Sequence, residues 1–150
     1  MKYKREITNG IFIFIGLGVY FMVLELLGLS DLFYLRFLNI FIVAYFVNRT
    51  IKGNQEAGVR GYFANFLGAI ATSMIGAFLS IAALLIYINF KGGEEFVKSL
   101  SENFIFGGGD FSVVQYCIGL LFESTAGSLA ISFSLMQYWK DKVEVINKVD

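Results

Sequence analysis

Residues 62–90 read YFANFLGAIATSMIGAFLSIAALLIYINF, a run without a single Asp, Glu, Lys or Arg. Crossing ~30 Å of hydrocarbon takes ~20 apolar residues, so this stretch is long enough to span a bilayer with residues to spare for tilt or extension past the surface. Three further apolar runs accompany it, at 10–29, 32–47 and 111–139. Four such runs predict an all-α polytopic membrane protein, a four-transmembrane-helix bundle forming a single domain over 1–150.

The connections support that layout. Ser30-Asp31 separates the first two runs so briefly that they form a tight antiparallel hairpin. Residues 48–61 are polar, with Arg49, Lys52, Arg60 and three glycines, and read as a cytoplasmic loop. The connection from Lys91 to Asp110 contains Phe96, Leu100 and Phe104 at four-residue spacing beside Glu94, Glu95, Lys98 and Glu102. That pattern predicts an amphipathic helix on the membrane surface in the outer loop. The run at 10–29 exceeds a signal-peptide core of ~7–15 residues and lacks a small-residue cleavage site, so it reads as a retained helix.

Orientation follows from the basic residues. Lys2, Lys4, Arg5, Arg49, Lys52, Arg60, Lys140, Lys142 and Lys148 fall on one side, against Lys91 and Lys98 on the other. The positive-inside rule then predicts both termini in the cytoplasm. Tyr138-Trp139-Lys140 suits an anchor at headgroup level.

Composition excludes several function classes. A hydrophobic share of 57% and a mean hydropathy of +0.67 are too high for an ordinary soluble core. Twelve basic and twelve acidic residues cancel to a net charge of zero, which gives no footprint for nucleic acid. The chain has no histidine and a single cysteine, Cys117, within an apolar run. Structural zinc, histidine-held haem and internal disulfides are therefore not expected, and no cofactor is. With no nucleophile visible beside a base, an enzyme is not expected either.

A few polar groups stand inside the apolar runs. Glu25 and Arg36 lie at equal distances from the Ser30-Asp31 turn, which puts them at one depth and predicts an ion pair locking the hairpin. Glu123 lies near the middle of the last run, where an ionised carboxylate costs about 2.5–3.5 kcal/mol to insert. Thr72 and Ser73 at similar depth, with Ser124, Thr125 and Ser128, are candidates to hydrogen-bond it in neutral form. Ala64, Gly68, Thr72, Gly76 and Ser80 recur every four residues, and Gly119 and Gly127 flank Glu123 at the same spacing. Such small-residue faces let membrane helices approach closely, so the two are expected to meet, with self-association as the alternative.

The span layout, with Glu123 through Gly127, Ser132-Phe133 and Met136-Gln137-Tyr138-Trp139-Lys140, resembles small four-helix inner-membrane proteins of unknown function of the Bacteroidota type. The resemblance implies a bacterial inner-membrane location and this fold, and carries no catalytic or binding residues. Membrane lipids, and other membrane subunits or a second copy of the chain, are the expected partners. The function expected is an accessory or scaffold subunit of a larger membrane assembly; the alternative is an oligomeric small-solute or ion transporter using a protonatable glutamate.

Overall fold

The computed structural model describes residues 4–30, 32–101 and 111–143, all of whose regular structure is helical. The elements are α1 (Lys4–Leu26), a short 3-10 helix (Phe33–Leu38), α2 (Asn39–Glu56), α3 (Tyr62–Lys91), α4 (Glu94–Ser101) and α5 (Val113–Val143). Helices α1, α3 and α5 are each long and apolar enough to cross a membrane.

Helix α3 is the centre of the bundle and packs against all four other α-helices. Helix α2 touches both α1 and α5, whereas α1 and α5 lie on opposite sides of the α2–α3 pair. Contacts along the helices give their directions. Glu25 meets Lys91 and Phe21 meets Tyr87, while Gly10 lies against Thr72 and Ile75, so α1 and α3 run parallel. Asn9 meets Thr50 and Tyr20 reaches the Leu35 carbonyl, so the intervening segment runs back against α1.

The α1–α3 crossing depends on two glycines. A Cβ on Gly76 would stand 2.5 Å from Ile13 Cγ2, and one on Gly10 would stand 2.6 Å from Ile75 Cγ2, closer than carbon atoms can approach. Each glycine thus admits a β-branched side chain of, or beside, the other helix's contact turn. In a bilayer, lipid solvates apolar side chains as well as protein does, so this close packing is what holds the two helices together.

Two apolar clusters close the ends of the bundle. At the end where α1 begins, Ile13, Val47, Ile51, Ala69, Met136, Trp139 and Val143 pack together. There the Gly61 amide donates to the Val143 carbonyl at 2.8 Å, tying the start of α3 to the end of α5. At the other end Val97 and Leu100 of α4 sit on Ile88 and Tyr116.

Four sequence expectations change here. Residues 48–56 are helix, because Thr50, Ile51 and Asn54 are buried against α1 and α3, which extends α2 through most of the expected loop. Conversely the run at 32–47 begins as a 3-10 helix. The amphipathic helix at 94–101 exists, but Val97 and Leu100 are buried against protein; Phe104 lies outside the described residues. Trp139 is only 7% exposed and donates from Nε1 to Asn48 Oδ1 at 2.7 Å, so it joins α5 to α2 and leaves the anchoring position to Tyr138, 65% exposed.

Candidate functional site

A buried polar assembly lies where α1, α2 and α3 meet, towards the start of α1. Helical periodicity builds it: Glu6 and Asn9 are one turn apart on α1, Thr50 and Asn54 on α2, and Gly68 and Thr72 on α3. Asn54 Nδ2 donates to Glu6 Oε1 at 3.1 Å, and Arg5 Nη1 donates to Asn54 Oδ1 at 3.2 Å. One turn deeper, Asn9 Nδ2 donates to Thr50 Oγ1 at 2.9 Å, and the Thr72 hydroxyl bonds Thr50 Oγ1 at 3.0 Å. Thr50 and Thr72 are fully buried, and Glu6 is 5% exposed.

Gly68 leaves room for the upper layer. A Cβ there would stand 3.2 Å from Asn54 Nδ2 and 3.3 Å from Glu6 Oε1. Glu6 Oε2 is buried and makes no hydrogen bond to the described residues. The carboxylate also lies in the first turn of α1, where the exposed amides of a helix start favour negative charge.

Beside this assembly α1 and α2 enclose an open cleft of about 430 Å³, walled by Lys4, Arg5 and Thr8 on one side and Arg49, Lys52 and Glu56 on the other. Arg49 lies over the Phe12 ring at 5.6 Å, and Phe12 stacks on Phe46 at 5.7 Å. Lys52 and Glu56 form an exposed pair at 3.9 Å, of little energetic weight.

The residues singled out in the sequence are distributed otherwise than expected. Glu25 pairs with Lys91 at 3.4 Å and accepts a hydrogen bond from the Tyr87 hydroxyl at 3.3 Å. Arg36 turns to the Leu100 carbonyl at 3.3 Å and the Tyr116 ring at 5.9 Å. The two therefore do not form the expected hairpin pair. Their equal spacing from Ser30-Asp31 counted residues as regular α-helix, whereas the 3-10 segment carrying Arg36 rotates and lengthens the second arm.

Glu123 is exposed on α5, away from Thr72 and Ser73. Ser73 bonds back to the Ala69 and Ile70 carbonyls, and Thr125 to Leu121. Gly68 and Gly76 do serve close packing, but towards α1 and α2. A Cβ on Gly119 or Gly127 would touch no atom of the described residues within 4 Å, so the small face of α5 does not meet that of α3. Four-residue spacing identifies a close-packing face but carries no label for its partner.

Sequence reasoning passed over Glu6, Asn9, Thr50 and Asn54. Glu6 and Asn9 precede the first apolar run at 10–29, and Thr50 and Asn54 fall within the expected loop at 48–61. Their spacing of three and four residues was the available signal, since it places each pair on one helical face.

No protein-family model, curated protein or solved structure matches this chain. Among the described residues no three His, Cys, Asp or Glu side chains cluster to hold a metal ion. The arrangement offers hydrogen bonding between helices, a cationic cleft at one end, and an outward carboxylate on α5.

Proposed function

We propose that the protein is a small non-catalytic subunit of a membrane assembly, crossing a bacterial inner membrane four times with both termini in the cytoplasm and engaging its partners through α5. The observation that carries this reading is the position of Glu123. It faces outward, and Leu121, two residues before it, shares a groove with Phe78 and Ile81 near the middle of α3. Lipid offers a carboxyl group there no hydrogen-bond donor, at a cost of about 2.5–3.5 kcal/mol when ionised. A neighbouring protein helix removes that cost by supplying a partner. Open Gly119 and Gly127, one turn to either side, let such a helix approach, and exposed Phe122, Leu129 and Phe133 border them.

The four-span topology is supported by the parallel run of α1 and α3. Two helices that cross in the same direction require the chain between them to return, and the 3-10 helix with α2 is that segment. The polar residues that depress its hydropathy include Thr50 and Asn54, which are buried within the bundle. The distribution of lysine and arginine sets the cytoplasmic side.

Purification of the tagged protein at native abundance in a mild detergent, followed by mass spectrometry of the intact assembly, tests the association. The expected result is co-purification with other membrane subunits in a fixed ratio, lost on Gly127→Leu while the chain itself stays folded. A chain that emerges alone defeats the accessory role, and emergence as a homo-oligomer would favour transport through Glu123 instead.

A further inference from the structure

We infer that the α1–α2 cleft is a binding site for the phosphate of an anionic phospholipid, with the headgroup between the two helices and an acyl chain descending over Phe12 and Phe46. Four cations, Lys4, Arg5, Arg49 and Lys52, wall the cleft against one carboxylate, Glu56, which is already paired with Lys52. They come from two antiparallel helices, so they converge on one volume from opposite sides. The hydroxyl of Thr8 lies in the same wall, although it donates to the Lys4 carbonyl at 2.7 Å.

Two of the cations are held in place. Arg5 lies across Gly53, where a Cβ would stand 3.1 Å from its Cδ, and its guanidinium is anchored by Asn54. Arg49 is seated on the Phe12 ring. Arginine in such a setting presents several donors in a fixed plane and retains its charge, which suits a phosphate oxygen pair.

The cleft's surroundings select a lipid over a soluble phosphate. It lies where the polar ends of α1 and α2 give way to their apolar lengths, and the stacked Phe12–Phe46 pair beneath Arg49 adjoins exposed Ile11 and Tyr45 along the chain, with exposed Ile15 one turn on. A phosphate bound there would have its ester substituents against apolar, membrane-facing surface. Basic pockets between membrane helices at the bilayer boundary bind anionic headgroups for this reason. The site is on the far side of the α2–α3 pair from the Glu123 face of α5, and does not depend on what binds there.

Delipidated full-length protein in detergent would be titrated separately with dioleoylphosphatidylglycerol and dioleoylphosphatidylcholine, bound lipid being counted by native mass spectrometry. Phosphatidylglycerol is expected to bind at least tenfold more tightly. Arg49→Gln with Lys52→Gln, both exposed side chains, should bring the two lipids within about twofold; Lys4→Gln on the opposite wall should lose part of the preference by itself. Lys140→Gln, a basic residue outside the cleft, should keep it all. Equal binding of the two lipids to the unaltered protein would overturn the site, as would full preference in the double variant. Binding of inorganic phosphate or glycerol phosphate as tight as that of phosphatidylglycerol would overturn the lipid assignment in favour of a soluble ligand.

Discussion

Glu6 and Glu123 are both carboxylates in apolar helices, and the bundle disposes of them in opposite ways. Glu6 is enclosed among Asn54, Gly68 and the start of α1; Glu123 is turned outward. For Glu6 the cost of burial is offset by hydrogen bonding, and Asn54 is the residue on which this depends, since it accepts from Arg5 and donates to Glu6. Asn54→Ala leaves a buried acceptor without its donor, which typically costs about 1–3 kcal/mol. The expected outcome is a loss of that size in unfolding free energy, measured by SDS titration in mixed micelles. An unchanged midpoint would mean that Glu6 draws no stability from Asn54. Neither role was legible from the residue itself: Glu6 lies ahead of the first apolar run at 10–29, and Glu123 reads as interior.

Helix packing shows the same division between pattern and partner. The stripe from Gly68 to Gly76 and the Gly119/Gly127 pair look alike in sequence, yet among the described residues only the first is occupied. Gly76→Leu would drive a side chain into Ile13 and separate α1 from α3, with an overpacking cost typically of about 1–3 kcal/mol. Gly127→Ala meets no atom of the described residues, and in a helix interior alanine is favoured over glycine by up to about 1 kcal/mol. Thermal unfolding of the isolated protein in detergent should therefore fall for the first variant and stay level or rise for the second. Equal losses for both would place an intramolecular neighbour against Gly127. At α1's other end the turn is chemically specified: Gly28 adopts φ +68°, and the Leu29 amide bonds back to the Leu24 carbonyl at 2.8 Å, ending the helix.

For the molecule as a whole, whether α2 crosses governs the sidedness of everything after it. In a Cys117→Ser background, Ser30→Cys and Ala57→Cys place single thiols at the two ends of the returning segment. A membrane-impermeant maleimide should label position 30 from outside intact cells with the outer membrane removed, and position 57 only after lysis. Labelling of both from one side would mean that α2 does not cross and that three spans remain. The apolar runs, their lengths and the basic bias between ends were determined by the sequence alone, because solvent transfer of a helix depends on composition summed over ~20 residues and hardly on what lies beside it. The Glu25–Lys91 pair, the enclosure of Glu6 and the vacant side of Gly127 were decided only by tertiary structure. Which groups meet depends on helix rotation and register, and a 3-10 turn of a few residues is enough to change both.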